Sequence, residues 1–217
     1  MRSLLLVLGV FSMVMNMSCG DGNVTITTDP AIQAAEDSAT IVNYLFDLGY
    51  EGDEVNVTES GVRYVILDTG NGDFIDESDI VTFDYIGKLL TDTIFDTSIQ
   101  EIADSIRLAV QEDTVGVDAS NVQLSLLNTF SESREFEPFE ITYSASGWPI
   151  EGQFIAGFTD GVSATFNKMN INGSALIVIP SAEAYGTVGS GLLIPPNTVI
   201  SFEFFPIEVI KQPPLED

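Results

Sequence analysis

The sequence predicts an α+β domain built on an antiparallel sheet, and three patterns of apolar residues support this. Near the amino terminus, apolar residues such as Ile41 and Leu45 recur at helical spacing. In two segments, from Val62 to Ile66 and from Val81 to Tyr85, they alternate with a period of two, which is typical of half-buried strands. Two further strand-like segments lie between Ser174 and Ile210. With 217 residues and 45% hydrophobic content, the chain can form one substantial core.

The amino-terminal segment MRSLLLVLGVFSMVMNMSC has the composition of an export signal. Arg2 precedes an apolar run that is shorter than the roughly 20 residues of a membrane span. Cys19 at its end resembles a bacterial lipoprotein attachment site, with residues 1–18 as the signal peptide and Cys19 as the lipidated amino terminus. The alternative is an ordinary signal peptide with an incidental cysteine. Both interpretations predict an exported protein.

A helix is expected after a short tether. Residues 19–29 are small and polar, which is typical of a flexible linker. Asp29 and Pro30 suit the N-cap and first turn of a helix, and Gly49 suits its end. We therefore predict a helix within Pro30 to Leu48, as part of an extension covering residues 30–58.

Two alternating segments predict the first strands, at Val62, Tyr64 and Ile66 and then at Val81, Phe83 and Tyr85. The acidic segment DTGNGDFIDESD between them could suggest a calcium loop. However, Gly70 and Gly72 stand where an EF-hand beginning at Asp68 needs oxygen ligands. We therefore expect an acidic hairpin turn.

The rest of the chain predicts strands, one short helix and an insertion. SALIVIP and TVISFEFFPIEVI are the clearest strands, and GFTDGVSATFNKM is expected to contain a short helix. Residues 98–137 differ, because the helical segment IQEIADSIRLAVQ is followed by the polar segment DTVGVDASNVQLSLLNTFSESREFE, which we expect to be irregular. We interpret this region as an insertion into the domain.

Composition excludes several functions. With 33 acidic and 7 basic residues, the formal charge of -26 would repel phosphate groups, so nucleic-acid binding is not expected. The chain has no histidine and one cysteine. It therefore cannot form a Ser/His/Asp triad, an intramolecular disulfide or a zinc site of the usual ligands. We expect neither a metal nor a cofactor.

Three segments, in order, resemble motifs of the FKBP-type peptidyl-prolyl isomerases, the tacrolimus-binding immunophilins. VTFDYIGKLLTDTIFDTS resembles the family's tyrosine strand and Phe-Asp-Ser turn, and FIAGFTDGV resembles its Val-Ile-x-Gly-Trp segment. AYGTVGSGLLIPPNTVISFEFFPIEV resembles its carboxy-terminal signature, in which a flap loop ends in Ile-Pro-Pro. The resemblance covers residues 59–211, interrupted at about 98–137, and leaves 212–217 as a tail. It implies an FKBP-like sheet curved around a short helix.

The chemistry that this resemblance implies needs no nucleophile. Rotation about an Xaa-Pro bond is opposed by amide resonance, with a barrier of about 18–20 kcal/mol. Twisting the bond removes the dipolar character of the carbonyl, so an apolar, water-excluding pocket favours the twisted state.

The site residues follow from the same resemblance. Aromatic walls are expected to surround the prolyl ring, with Phe158 as the floor. Hydrogen-bond donors to substrate carbonyls would be the backbone N–H of Ile155 and the hydroxyl of Tyr185, and Asp96 would be a buried carboxylate beside the pocket. For catalysis the resemblance implies Tyr85, Phe95, Asp96, Ile155, Phe158, Tyr185 and Phe202, and for substrate binding Phe139, Phe154, Leu193 and Ile194. Gly186 and Gly189 would allow the tight path of the flap.

Some positions depart from the family pattern. Phe158 replaces a floor tryptophan that many members carry, which keeps an apolar ring. Trp148 lies earlier in the chain and does not replace it. The insertion between Asp96 and Phe139 emerges beside the pocket.

The sequence is therefore consistent with two functions. The first is an isomerase that acts on proline-containing clients during folding in the bacterial envelope. It would be an outer-membrane or periplasm-facing lipoprotein anchored through Cys19, monomeric, and inhibited by tacrolimus-like macrolides. The alternative is a non-catalytic binding or chaperone module of the same fold. The intact set of wall residues favours the enzyme.

Overall fold

The computed structural model describes residues 29–115, 119–144 and 155–213 and confirms the α+β class. Its helices are α1 (Pro30–Asp47), α2 (Gln100–Asp113), α3 (Asn121–Thr129) and α4 (Ala156–Phe166). Its strands are β1 (Asn56–Val57), β2 (Arg63–Asp68), β3 (Ile80–Leu89), β4 (Ile94–Thr97), β5 (Phe139–Thr142), β6 (Ser174–Ile179) and β7 (Ile200–Ile210). The helices predicted near Pro30, Gln100 and Gly157 are confirmed. Within the described ranges, no helix is both long and apolar enough to cross a membrane.

All strands described belong to one antiparallel sheet, in the order β1-β2-β6-β7-β3-β4. β5 also pairs with β3. β4 pairs with Ile86–Lys88 and β5 with Ile80–Phe83, so both short strands lie along the same side of β3. The insertion leaves the sheet between them. It therefore emerges from a divided edge strand.

The prediction of an acidic hairpin turn between β2 and β3 is wrong. β2 pairs with β1 and β6, whereas β3 pairs with β4, β5 and β7. The connection instead crosses the end of the sheet and bonds to the loop before β6. The Asn170 N–H donates to the Thr69 carbonyl over 2.8 Å, and the Gly72 N–H donates to the Ile171 carbonyl over 3.0 Å. Turn-forming residues indicate a reversal of the chain but do not identify the strand that pairs next.

Helices cover both faces of part of the sheet. α4 packs on one face, where Phe158, Val162 and Phe166 join side chains from β3, β6 and β7 in the main core. On the opposite face, Ile41 and Leu45 of α1 pack against a smaller cluster. β6 is therefore buried on both sides, whereas the sequence predicted a half-buried sheet. The difference arises because α1 belongs to the folded unit.

A buried carboxylate holds α1 in place. Asp37 Oδ2 accepts hydrogen bonds from the Ser181 N–H, over 2.8 Å, and from the Ser181 hydroxyl, over 2.6 Å. Asp37 Oδ1 accepts from the Gln33 side chain over 2.8 Å. Ser181 begins a short 3-10 helix, Ser181–Glu183, that leads directly to Tyr185. The amino-terminal helix is thus bonded to the base of the predicted flap.

The second half of the insertion is more ordered than the sequence predicted. The segment expected to be irregular contains α3, which begins with a capping box. The Ser120 hydroxyl accepts from the Gln123 N–H over 3.2 Å, and the Gln123 side chain accepts from the Ser120 N–H over 2.8 Å. This Ser-x-x-Gln pattern is the sequence signal that the prediction missed.

Asp79 joins the start of β3 to the end of β7. Its carboxylate accepts from the Asp76 N–H over 2.8 Å, from the Gln212 N–H over 3.0 Å and from the Lys211 ammonium over 2.9 Å. Burial alone raises the pKa of this carboxyl. The hydrogen bonds and the Lys211 charge outweigh burial and hold the pKa below its ordinary value of 3.8. The folded state therefore favours the ionised form.

We predict that Asp79→Asn lowers the free energy of unfolding at neutral pH but has little effect in acid. Because the folded-state pKa is lowered, the stabilisation is present above the ordinary pKa and is lost as pH falls through the folded-state value. Denaturant unfolding should therefore show the difference between wild type and variant shrinking below about pH 4. A difference that stays constant with pH would contradict the assignment. Asp73→Asn, at an exposed position in the same connection, is the control.

Candidate functional site

Aromatic side chains from four elements meet within the main core. The Tyr85 ring of β3 lies 6.0 Å from the Phe158 ring of α4 and 5.9 Å from the Phe202 ring of β7. Phe202 and Phe158 are 4.7 Å apart, and Phe95 of β4 meets Phe202 edge to face at 5.6 Å. All these distances join ring centroids. The sheet and α4 thus bring together four of the side chains that the sequence predicted for the site.

A glycine on β3 makes room for this cluster. Gly87 pairs with Phe202 of β7 and with Asp96 of β4. A Cβ atom at Gly87 would lie 2.8 Å from ring atoms of both Phe95 and Phe202. The edge-to-face contact of these rings therefore requires glycine at this position, a requirement that was not predicted from the sequence.

A bulge in β4 directs two successive residues to the site. Lys88 pairs with Ile94 and Gly87 pairs with Asp96, so Phe95 is an extra residue in the ladder. Successive residues of a regular strand point to opposite faces, and a bulge changes the direction of a side chain. Phe95 and Asp96 consequently line the same cavity.

Asp96 is surrounded by hydrogen-bond donors. Its Oδ2 accepts from the Tyr85 hydroxyl over 2.8 Å, and its Oδ1 accepts from the Arg134 guanidinium over 2.7 Å and from the Thr97 N–H over 2.9 Å. Its side chain is 32% exposed, so the prediction of a buried carboxylate is wrong. The Arg134 guanidinium, which belongs to the insertion, pairs with this partly exposed carboxylate.

The two site tyrosines keep their protons. Burial, together with the charge of Asp96 and the hydrogen bond to it, raises the pKa of Tyr85 far above its ordinary value of 10.0, despite the opposing effect of Arg134. Burial and the charge of Asp96 also raise the pKa of Tyr185. Both hydroxyls are therefore hydrogen-bond donors at all physiological pH values.

The predicted flap forms a tight loop after Tyr185. The Ser190 N–H donates to the Ile194 carbonyl over 2.8 Å, and the Ile194 N–H donates back to the Ser190 carbonyl over 3.1 Å. Gly189 has a φ of +70°, and a Cβ atom there would lie 2.3 Å from the Ile194 carbonyl oxygen. Only glycine fits this path.

A cavity of about 290 Å³ lies between the flap and the insertion. Five predicted site residues line it, namely Phe95, Asp96, Tyr185, Leu193 and Ile194. The remaining lining comes from α3, with Ser125, Asn128 and Thr129, from Arg134, and from Ser190, Gly191 and Leu192 of the flap. The α3 residues and Arg134 were not predicted from the sequence, because no local pattern indicates that the insertion folds back over the site.

The other predicted site residues lie around the aromatic cluster. Ile155 is buried at the N-cap position of α4, where the backbone N–H has no intrahelical acceptor. Phe139 of β5 is half-buried and packs 5.4 Å from the Tyr85 ring. Phe154, Trp148 and Cys19 lie outside the described residues. Among the described residues, no group of three or more His, Cys, Asp and Glu side chains could hold a metal ion.

Comparison with known proteins shows similarity to one family. The family model described as FKBP-type peptidyl-prolyl cis-trans isomerase matches residues 107–206. A probable FKBP-type peptidyl-prolyl cis-trans isomerase of Haemophilus influenzae is 25% identical over 162 residues, covering 73% of this chain and 47% of that protein. The probable FkpA of Neisseria meningitidis is 27% identical over 154 residues, covering 70% of this chain and 39% of that protein. The FKBP-type 22 kDa isomerase of Escherichia coli is 25% identical over 156 residues, covering 72% of this chain and 53% of that protein. This chain thus spans about half the length of these relatives or less.

Solved structures give weaker likenesses. A peptidyl-prolyl cis-trans isomerase from Pseudomonas syringae has a TM-score of 0.47 and 22% identity, covering 85% of this chain and 99% of that chain. FkpA from Escherichia coli has a TM-score of 0.46 and 23% identity, covering 84% of this chain and 63% of that chain.

The family match includes only part of the site. It covers Ile155, Phe158, Tyr185, the flap and Phe202, but begins after Tyr85, Phe95 and Asp96. The structure brings these earlier residues against the matched segment through β3 and β4.

We predict that Gly87→Ala destabilises the protein by about 1–3 kcal/mol, because the added methyl group overlaps the rings of Phe95 and Phe202. Denaturant unfolding measures this change. Combining it with Phe95→Leu should cost less than the two single changes together, because the smaller side chain gives the methyl group room. Strict additivity would show that the two residues do not compete for space.

Proposed function

Because the chain carries a domain of the FKBP-type peptidyl-prolyl cis-trans isomerase family, we propose that it catalyses cis-trans exchange of Xaa-Pro bonds in polypeptides. The observation that carries this proposal is the arrangement of Phe95, Asp96 and Tyr185 along one cavity, directly beside the rings of Tyr85, Phe158 and Phe202. This arrangement combines apolar surface for a prolyl ring with donors for carbonyl groups.

The apolar rings would favour the twisted geometry that the Xaa-Pro bond adopts in the transition state. In the planar amide, resonance places partial negative charge on the oxygen, and this charge decreases as the bond twists. Water stabilises the planar form, so a site that replaces water by buried rings lowers the energy of the twisted form relative to the planar one. Phe158 and Phe202 are each about 95% buried, which suits this role.

Fixed donors would hold the substrate while its bond rotates. Tyr185 retains its proton because burial and the nearby Asp96 raise its pKa. Ile155 presents a backbone N–H at the start of α4. Preorganised donors of this kind need no rearrangement during the reaction. No proton is transferred in this mechanism, so the rate should not depend on a titrating group near neutral pH.

The cellular role is proposed from the sequence. The export signal and Cys19 support a lipid-anchored isomerase in the bacterial envelope that assists the folding of exported, proline-containing proteins. The strong negative charge disfavours close contact with anionic lipid headgroups, so the attached lipid would hold the protein at the membrane. We propose that the protein acts as a monomer and that tacrolimus-like macrolides occupy the prolyl site.

We predict that the protein accelerates cis-trans exchange of an Ala-Phe-Pro peptide, followed by NMR, and that tacrolimus abolishes the acceleration. Tyr185→Phe and Asp96→Asn should each lower kcat/KM by about tenfold, equivalent to about 1.4 kcal/mol of transition-state stabilisation. Asp92→Asn is the matched control, because Asp92 is exposed in the same β-hairpin and should leave the rate unchanged.

The outcomes separate the enzyme from a binding module. Acceleration that both variants preserve would remove Tyr185 and Asp96 from the site. Tacrolimus binding without any acceleration would mean that the pocket serves recognition, as in the alternative of a non-catalytic module. Circular dichroism of each variant distinguishes loss of activity from loss of fold.

We predict that the mature protein begins at Cys19 and carries a lipid there. Mass spectrometry of protein recovered from bacterial membranes should detect an amino-terminal peptide with an acyl-modified cysteine. Cys19→Ser should release the protein from the membrane fraction while leaving its isomerase rate unchanged. An unmodified cysteine, or cleavage at another position, would support an ordinary signal peptide.

A further inference from the structure

The insertion has a fixed position beside the site because it shares a small core with the sheet. Ala103 of α2, Phe130 and Phe136 are buried together, and Ile94 of β4 and Leu126 of α3 pack against them. The Phe130 and Phe136 rings stack with their centroids 6.2 Å apart. This core joins both inserted helices to β4.

Arg134 connects the end of α3 to the site. Its guanidinium donates to Asp96 Oδ1 over 2.7 Å and to the Thr129 carbonyl over 3.3 Å. It also lies 4.7 Å from the centroid of the Phe136 ring. These contacts keep the last turn of α3 next to Asp96, so one wall of the cavity is built by the insertion.

The wall that α3 contributes is polar and uncharged. Ser125, Asn128 and Thr129 are separated by three and four positions, so they share one face of the helix, and all three line the cavity. Hydroxyl and carboxamide groups can both donate and accept hydrogen bonds, which matches the alternating N–H and C=O groups of a peptide backbone.

The other wall is mainly apolar. Leu192, Leu193 and Ile194 of the flap face the same cavity. The Asp96 and Arg134 side chains, which line it as well, neutralise each other in an ion pair. A cavity with a hydrogen-bonding wall, an aliphatic wall and little net charge suits a neutral, extended peptide segment with apolar side chains. Its volume of about 290 Å³ approaches the range of small-ligand sites.

We propose that α3 and the flap form a subsite for the residues of a client that flank its target proline. This inference rests on the proposed function, in which the prolyl ring would lie beside Phe95 and Tyr185, and both residues line the same cavity. The insertion thereby selects clients through neutral, apolar segments next to proline, and a short substrate makes fewer contacts with it than a long one.

The test compares two substrates that share one Phe-Pro bond. One is a tetrapeptide, and the other is a peptide of about twelve residues with leucines near the proline, which spans about 40 Å when extended. Asn128→Ala should lower kcat/KM for the long peptide by about fivefold, as expected for one lost hydrogen bond, and should lower kcat/KM for the tetrapeptide less. Asn121→Ala, at the start of the same helix and away from the cavity, is the matched control and should change neither rate. Affinity for the long peptide, measured by isothermal calorimetry, should fall with Asn128→Ala in the same proportion.

Each result assigns a role to α3. If Asn128→Ala changes both substrates equally, or changes neither, the subsite is overturned. A wild-type protein that accelerates neither peptide overturns the proposed isomerase activity instead. In that case, Asn128-dependent binding of the long peptide still supports the subsite, and binding that does not depend on Asn128 overturns it.

Discussion

The pairing of β3 with β7 is the constraint on which the rest of the structure depends. It places Phe204 opposite Tyr85 and Phe202 opposite Gly87, and it continues over the whole length of β3. Because side chains alternate between faces, a shift of β7 by one residue would move Phe202 and Phe204 to the face covered by α1. The fixed register directs them toward α4. The main core and the aromatic part of the site are therefore consequences of the same ladder.

The site combines residues that also form the core with residues that a local bulge or loop positions. β3 and β7 contribute rings that are also core residues, whereas Asp96 and Phe95 depend on a local bulge in β4. The flap depends on Gly189 and on the bonded connection that leads from Asp37 through Ser181 to Gly186. Changes in the core are thus expected to affect stability and site geometry together, while changes in the flap or in α3 can alter the cavity with the core intact.

The sequence predicts the regular elements well because their apolar periods are strong and local. α1, α4, β6 and β7 lie where their patterns placed them, and the aromatic residues of β3 and β7 form one cluster. Which strands pair with one another could not be predicted from local apolar patterns. The connection between β2 and β3 resembles a hairpin in composition, yet the two strands are separated by β6 and β7. Arg134 and Asn128 reach the cavity only through the packing of Phe130 and Phe136, which no local pattern indicates.

The edges of the sheet have a consequence for the behaviour of the protein at high concentration. One outer strand, β1, has two residues, and the other edge is divided between β4 and β5 on either side of the insertion. Short or interrupted edges offer few consecutive N–H and C=O groups to a strand from another molecule. Combined with a formal charge of -26, which makes copies repel one another, this geometry protects a sheet rich in aliphatic and aromatic residues from self-association into fibrils.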